Sequence, residues 1–135
     1  MPTVVRAEVL PLRVEQDVVL ARQLVRRLTQ ETGFRLVDQT KLVTAASELS
    51  RNTVVYGLGG EMRAEVLEDG ARTGVRLVFS DQGPGIPDID QALTDGWTSG
   101  SGLGMGLGGS RRLVNEFDIA SAPGAGTRVT VVRWR

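Results

Sequence analysis

The stretch Asp95-Gly-Trp-Thr-Ser-Gly-Ser-Gly-Leu-Gly-Met-Gly-Leu-Gly-Gly-Ser110 contains seven glycines. Ordering a glycine costs roughly 0.5–1 kcal/mol more than ordering an alanine, so a loop of this composition is expensive to order without a ligand. Backbone N–H groups that approach an anion closely are the usual reason for such a loop. A flexible Gly/Ser linker is the alternative, but Leu103, Met105 and Leu107 alternate with the glycines, which is unusual for a linker. The stretch therefore predicts a phosphate-binding lid.

The residues on either side of this lid limit what kind of phosphate site it can be. Residues 111–117 predict a helix that follows the lid directly and ends at about residue 116. The lid contains a formal G-x-G-x-x-G match, but it does not follow a strand, so a dinucleotide fingerprint is excluded. The chain has a single lysine, Lys41, far from any glycine loop, which excludes a Walker-type phosphate loop.

The composition is typical of a globular protein, with 135 residues, 41% hydrophobic and 24% charged. This length predicts a single domain over residues 1–135. The 16 basic and 16 acidic residues balance, so we expect neither nucleic acid nor a membrane as a partner. There is no long apolar run, no signal-peptide layout and no cysteine, so we expect a cytoplasmic protein. The absence of histidine excludes a histidine base, metal ligand or phosphoacceptor on this chain.

Hydrophobic periodicity predicts an α/β sandwich, in which a mixed, mostly antiparallel sheet carries helices on one face. Pro11 marks the first strand as an edge strand, and Gly33 is a candidate C-cap of the first helix. The predicted helices are 15–32, 36–56, a short helix 89–93 and the helix after the lid; the predicted strands are 4–14, 62–67, 75–80, 119–122 and 127–134. Arg22, Arg26 and Arg27 lie off the apolar stripe of the first helix and form either a solvated face or a face that docks a partner.

Glu48 and Asn52 lie four residues apart on the second predicted helix, so they project from one face. A carboxylate at the edge of the core can accept a proton from an attacking hydroxyl or water. An amide oxygen one turn away can ligate Mg²⁺ when phosphates and waters supply the other ligands. An ordinary surface pair is the alternative, and the two residues alone do not decide between them.

Asp81 follows an apolar strand and opens the turn Asp81-Gln-Gly-Pro-Gly-Ile-Pro87. A carboxylate held at a strand end can accept a hydrogen bond from an exocyclic amine such as that of adenine. Gly83 and Gly85 would let a flat base approach the backbone. A common Asp-containing turn with no ligand is the alternative.

The order of these motifs is more specific than any one of them. Glu48-Leu-Ser-Arg-Asn52, Asp81-x-Gly83-x-Gly85, Gly102-x-Gly104-x-Gly106 and Gly126-Thr127 together resemble the GHKL ATP-binding superfamily. The resemblance implies the Bergerat fold, with ATP and Mg²⁺ as cofactors. It also implies Glu48 as the catalytic base, Asn52 as the Mg²⁺ ligand and a nucleotide-binding residue, and Asp81 as the adenine-reading carboxylate. Further nucleotide contacts are implied for Gly83, Gly85, Ile86, Gly102, Leu103, Gly104, Met105, Gly106 and Thr127.

Within that superfamily the chain is similar to the anti-sigma-factor serine/threonine kinases, and more closely to the RsbT-type switch kinases of bacterial stress signalling. The histidine kinase branch needs a phosphoacceptor histidine, and the gyrase and Hsp90 branches need large transducer domains. The resemblance implies a kinase that phosphorylates STAS-domain scaffold proteins of the stressosome. Once released, the kinase would bind and activate a PP2C-type phosphatase. Two alternatives stay open, a nucleotide-dependent docking module with little kinase activity and a direct anti-sigma factor.

Overall fold

The computed structural model describes residues 1–86, 88–93 and 106–135 of the chain. In these ranges two long helices, two short helices and five strands are present. Their order is β1 (Thr3–Leu12), α1 (Glu15–Glu31), α2 (Leu36–Val55), β2 (Gly60–Asp69), β3 (Arg72–Asp81), α3 (Ile89–Ala92), α4 (Gly106–Arg112), β4 (Glu116–Ser121) and β5 (Thr127–Trp134). None of these helices is both long enough and apolar enough to cross a membrane.

The five strands form one sheet in the order β1-β2-β3-β5-β4, and every neighbouring pair is antiparallel. The predicted two-layer α/β sandwich is therefore confirmed. β1 is an edge strand, as Pro11 predicted, and the β2–β3 hairpin turns at Gly70, whose φ is +62°. The two long helices cover one face of the sheet. On this face, one row of residues that runs across the strands belongs to the same hydrophobic core as Val25 of α1 and Leu49 of α2. This row consists of Leu10, Met62, Phe79, Val129 and Ile119.

The turn between α1 and α2 positions the second helix on the sheet. Gly33 has a φ of +81°, and its N–H donates to the Gln30 carbonyl at 3.2 Å. The Phe34 N–H donates to the Thr29 carbonyl at 2.9 Å, which completes a Schellman motif. Gly33 thus ends α1 as the sequence predicted, and Phe34 enters the core directly afterwards.

The helix after the lid differs from its prediction. It ends at Arg112 instead of about residue 116, and β4 already begins at Glu116. Phe117 and Ile119 pack against the core while Glu116 and Asp118 are exposed, which is the two-residue period of a strand. This segment pairs with β5 at the edge of the sheet. The backbone hydrogen bonds that it forms with β5 replace those that a longer helix would have formed. The other element bounds shift by a few residues, as is common for predicted ends.

A buried ion pair joins the start of α2 to the end of β5. Arg133 Nη2 donates to Asp38 Oδ1 at 2.6 Å, and Arg133 Nη1 donates to the Leu113 carbonyl at 3.0 Å. The two charged side chains are only 11% and 13% exposed. Hydrogen bonding from Arg133, and then from Arg35, holds the pKa of the Asp38 carboxyl below its ordinary value, although burial acts in the opposite direction. The pair therefore holds the N-terminal end of α2 against the C-terminal end of β5.

We expect Asp38→Asn to lower the free energy of unfolding by about 3 kcal/mol, because it leaves the Arg133 guanidinium buried without a countercharge. Since the folded-state pKa of Asp38 is lowered, its contribution is present above the unfolded pKa, near 4, and is lost as the pH falls through the folded-state pKa. The measurement is urea unfolding at pH 7 and below pH 4. The control is Asp69→Asn, whose ion pair with Arg72 is exposed and is worth less than about 1 kcal/mol. Equal losses in the two variants would contradict a buried, stabilising pair.

Candidate nucleotide site

The candidate site lies where the C-terminal end of α2 meets the ends of β3, β4 and β5. The antiparallel registers place Asp81 opposite Thr127, and Thr127 opposite Ser121. Residues that are directly opposite in a sheet share a face, so these three side chains stand in one row. The row lies on the helix-covered face, because Asp81 packs against Gly57 at the end of α2. The structure therefore brings together Asp81 and Thr127, which the sequence placed 46 residues apart.

The Asp81 carboxylate is fixed through one of its two oxygens. Oδ1 accepts hydrogen bonds from the Gly83 N–H at 2.9 Å and from the Thr127 N–H at 3.2 Å. Oδ2 accepts no hydrogen bond from the part of the chain that the structure describes, and it faces Gly57. A carboxylate with one oxygen anchored and one available is a rigid acceptor for a ligand N–H donor. This geometry fits the role that the sequence predicted for Asp81.

Glycines let three backbone segments meet around this carboxylate. A Cβ on Gly83 would lie 2.6 Å from the Gly57 carbonyl oxygen, and one on Gly126 would lie 2.2 Å from the Asp81 carbonyl oxygen. Gly85 has a φ of +80°, and a Cβ there would lie 2.0 Å from the Ala122 carbonyl oxygen. No side chain fits at these separations, so the turn after β3 is packed directly on the end of α2 and on the β4–β5 loop. Close packing of backbone segments therefore requires glycine at both predicted turn positions, Gly83 and Gly85.

Glu48 and Asn52 reach the same site from α2. Both are half-buried, and the Glu48 side chain is 14% exposed. The Asn52 carbonyl accepts the Gly57 N–H at 3.0 Å, so Asn52 lies at the turn that places Gly57 against Asp81. Glu48 lies one turn earlier, about 6 Å along the helix axis. Arg51 Nη1 lies 3.8 Å from Glu48 Oε1.

Glu48 also borders a groove of about 370 Å³ between α1 and α2. The groove is lined by hydroxyls, two arginines and short apolar side chains: Val19, Arg22, Gln23, Arg26, Val43, Thr44, Ser47 and Glu48. Of the three arginines that the sequence singled out on α1, Arg27 is bound to Glu8 at 2.9 Å and to Glu31 at 3.4 Å. Arg22 and Arg26 instead face this groove. The groove that Glu48 borders therefore carries two arginines.

The predicted lid is only partly within the described residues. Gly106 is the first residue of α4, Leu107 is buried in the core, and α4 packs against α2. The predictions for Gly102, Leu103, Gly104 and Met105 lie outside the described residues. Ile86, also predicted to bind nucleotide, is half-buried, and its N–H donates to Ser121 Oγ at 2.8 Å.

Two residues of this site were not predicted, Gly57 and Ser121. Gly57 is the first of three glycines after α2, and the sequence indicated only that the helix ends there. Its contact with Asp81 depends on how α2 crosses the sheet. Ser121 is six residues before Thr127, and only the register of the β4–β5 hairpin shows that the two face each other.

Comparison with known proteins shows the family of the chain. Residues 37–135 match the model of the "Histidine kinase-, DNA gyrase B-, and HSP90-like ATPase" family. Because the match covers most of the chain, the protein belongs to this family of ATPases. The predicted membership of the GHKL superfamily is thereby confirmed.

The relatives define the branch. The chain is 43% identical over 120 residues to the serine/threonine-protein kinase RsbT of Bacillus subtilis (strain 168), covering 89% of this chain and 90% of the relative. It is 27% identical over 123 residues to the anti-sigma F factor of Clostridium novyi (strain NT), covering 84% and 83%. The predicted assignment to the serine/threonine kinase branch, and to its RsbT-type members, is confirmed by the first of these. The chain is a protein serine/threonine kinase of that type.

A solved structure supports the fold. The crystal structure of the RsbU and RsbW domains of a Mycobacterium tuberculosis protein matches with a TM-score of 0.65 at 22% identity. The match covers all of this chain and 33% of that one, so the chain spans a third of the solved structure's length. At this identity the likeness concerns the fold alone.

We expect Gly57→Ala to lower ATP affinity about tenfold or more. The added methyl would lie 2.4 Å from Asp81 Oδ2 and 2.7 Å from its Cβ, so the whole side chain must move away from its anchored position. A displaced hydrogen bond to a charged group is worth at least about tenfold in binding. Calorimetric titration with ATP measures the change. Val55→Ala, an exposed position at the end of α2, is the control, and equal affinities in the two variants would contradict this role of Gly57.

Proposed function

We propose that this chain is an ATP-dependent serine/threonine protein kinase that acts as a partner switch. The observation that supports the proposal is that α2 lies beside two features, the anchored Asp81 carboxylate at its C-terminal end and a groove that Glu48 borders. The C-terminal end of α2 packs on the anchored Asp81 carboxylate, and Glu48, one turn before Asn52, opens toward a groove that a protein segment can enter. A site that only binds nucleotide needs the Asp81 carboxylate but has no need of the Glu48 carboxylate.

In this proposal the nucleotide base lies over the turn after β3. The exocyclic amine of adenine donates to Asp81 Oδ2, Gly83 and Gly85 form the turn beneath the base, and Ile86 and Thr127 complete the contacts. The glycines Gly102, Gly104 and Gly106, with Leu103 and Met105, hold the phosphates through backbone N–H groups. This arrangement suits a chain in which no lysine follows the glycines.

Asn52 would hold Mg²⁺ through its side-chain oxygen. The donor fits, because Mg²⁺ prefers hard oxygen ligands and accepts one or two protein ligands alongside phosphates and waters. No group of three acidic, histidine or cysteine side chains converges among the residues described, so phosphates and waters would supply the other ligands. When bound, the metal ion offsets the negative charge of the phosphates during transfer.

Glu48 acts as the base. The acceptor hydroxyl oxygen attacks the γ-phosphorus, the bond from that phosphorus to the bridging oxygen of ADP breaks, and the hydroxyl proton passes to the Glu48 carboxylate. The polar groove beside Glu48 admits a serine- or threonine-bearing segment of a partner protein. Positioning and electrostatics supply most of the acceleration in such a reaction.

The partners follow from the kinship with RsbT-type kinases. The proposed substrates are STAS-domain scaffold proteins of the stressosome, and the proposed partner after release is a PP2C-type phosphatase. The kinship with a serine/threonine kinase supports this choice. We place the protein in the cytoplasm, where both ATP and such regulators are available.

The direct test is incubation of the wild-type protein with γ-labelled ATP, Mg²⁺ and a STAS-domain protein of the stressosome type. We expect label on a serine or threonine of the STAS protein, and no label when the STAS protein is omitted. Absence of transfer, with ATP binding intact, would leave a nucleotide-dependent docking module as the better description.

A second candidate function is a direct anti-sigma factor, which the 27% identity to anti-sigma F factors favours. Co-purification of the tagged chain with a sigma factor, a STAS protein and a PP2C-type phosphatase distinguishes the two. The kinase switch predicts retention of the STAS protein and the phosphatase. Retention of the sigma factor alone would favour the second candidate.

A further inference from the structure

Leu58, in the loop between α2 and β2, combines a strained backbone with an exposed side chain. Its φ is +62°, and it is the one non-glycine residue with a positive φ in the part of the chain that the structure describes. A Cβ crowds the backbone in this left-handed region, which is why glycine usually occupies it. Glycine stands on both sides, at Gly57 and Gly59. Because the leucine side chain is 79% exposed, packing inside the fold does not offset the strain.

Two other exposed apolar side chains lie at the same end of the molecule. The loop that holds Leu58 packs on the turn between β1 and α1, since a Cβ on Gly59 would lie 3.4 Å from the Leu12 carbonyl oxygen. Val14, in this turn, is 58% exposed, and Val55, the last residue of α2, is 47% exposed. We call Val14, Val55 and Leu58 the Leu58 patch. Neighbouring apolar side chains that stay exposed together are typical of a surface that a partner covers.

The Leu58 patch continues the groove that Glu48 borders. On α2, Glu48, Arg51 and Val55 are spaced by three and then four residues, so they share one face of the helix. Arg51 Nε lies 3.5 Å from Glu15 Oε1, which places the start of α1 beside this face. Val14 directly precedes Glu15, and Val55 lies one turn beyond Arg51, so this ion pair brings the two valines to the same end of the helix pair. The groove between α1 and α2 therefore leads past Glu48 and the ion pair to the patch.

We propose that the Leu58 patch docks the protein that carries the acceptor hydroxyl, by binding an apolar side chain of that protein. A protein that brings a hydroxyl to Glu48 along the groove also covers the patch, because the groove and the patch are continuous. Seven residues separate Glu48 from Val55, so the apolar side chain would lie about 10 Å from the acceptor hydroxyl. This inference rests on the proposed function, and it adds the kind of surface that the acceptor protein must carry.

The test replaces Leu58 by asparagine, which tolerates the left-handed backbone but is polar. Calorimetric titration with a STAS-domain protein of the stressosome type, in the presence of a non-hydrolysable ATP analogue, measures docking. We expect Leu58→Asn to weaken this binding about tenfold or more, the effect of burying one leucine side chain. In phosphate transfer from ATP, the KM for the STAS-domain protein should rise by the same factor while kcat stays unchanged, because the contact is made equally in the ground state and the transition state. Leu58→Met keeps an apolar side chain and is expected to bind like the wild type.

Two further variants separate docking from general effects on the surface and on the fold. Leu36 is 75% exposed at the first residue of α2, about 28 Å along the helix from Val55, so Leu36→Asn is the matched control and should bind the STAS-domain protein like the wild type. An equal loss in Leu36→Asn and Leu58→Asn would overturn the inference. Leu58→Gly removes both the strain and the side chain, so it should weaken docking without lowering the midpoint of thermal unfolding. A midpoint lowered by several degrees would show that Leu58 stabilises the fold, and would also overturn the inference.

The remaining outcomes name a different occupant or separate this inference from the proposed function. If Leu58→Asn abolishes only a dimer seen by sedimentation, or only the binding of a PP2C-type phosphatase, the patch serves that partner and the inference is overturned. Wild-type protein that transfers phosphate, with an unchanged KM in Leu58→Asn, overturns the inference alone. Binding of the STAS-domain protein that depends on Leu58, without any phosphate transfer, overturns the kinase function and leaves the docking surface in place. Wild-type protein that neither binds nor phosphorylates the STAS-domain protein overturns both.

Discussion

Asp81→Asn is expected to abolish ATP binding while the protein stays folded. The asparagine oxygen can keep the hydrogen bonds from the Gly83 and Thr127 N–H groups, so the turn after β3 stays anchored. The amide NH₂ then replaces Oδ2 and points a donor at the donor amine of adenine. Loss of a charged acceptor together with a buried donor–donor conflict predicts a loss of affinity of at least about 100-fold.

Calorimetric titration with ATP measures this loss, and thermal unfolding shows whether the fold is intact. Asp118→Asn is the matched control, because Asp118 lies exposed on β4 and its substitution changes the net charge equally. We expect the control to bind ATP like the wild type. Unchanged affinity in Asp81→Asn would remove Asp81 from the proposed site and with it the assignment of the adenine pocket.

Glu48→Gln is expected to reduce phosphate transfer to the partner by about 100-fold or more, with ATP affinity changed less than about twofold. The amide cannot accept the hydroxyl proton, and a positioned general base contributes roughly 100- to 10,000-fold to such steps. Glu48 lies about one helical turn before Asn52 and is not among the residues proposed to contact adenine. Its substitution should therefore leave ATP binding unchanged. Single-turnover transfer from labelled ATP, measured beside calorimetric titration, separates the two effects.

The control for Glu48 uses its ion-pair neighbour. Arg51 lies 3.8 Å from Glu48 and 3.5 Å from Glu15, so Glu15→Gln removes a similar charge from the same arginine. If Glu15→Gln is as inactive as Glu48→Gln, the loss reflects the electrostatics of Arg51 and not proton transfer. If Glu48→Gln transfers phosphate as fast as the wild type, the proposed base is wrong.

The fold was predictable where one local rule applied to each segment. Amphipathic spacing defined α1 and α2, Pro11 marked the edge strand, and Gly33 marked the end of α1. The prediction was wrong after the lid, where residues 111–117 have helical spacing but Glu116 and Phe117 lie in β4. Pairing with β5 outweighs local propensity there, and that pairing depends on strands elsewhere in the chain.

The order of Glu48, Asn52, Asp81 and the glycines was enough to indicate the superfamily by resemblance, and the absence of histidine helped to narrow the branch. What the sequence could not indicate was how those motifs meet. The contact of Gly57 with Asp81 depends on the crossing of α2 over the sheet, and the contact of Ser121 with Thr127 depends on the register of β4 against β5. By itself, then, the sequence determined most of the elements and indicated candidate groups for the site, since periodicity and residue type are local properties. Only the tertiary structure decided which of those groups form hydrogen bonds with one another, because a hydrogen bond requires a distance of about 3 Å between residues that are far apart in the chain.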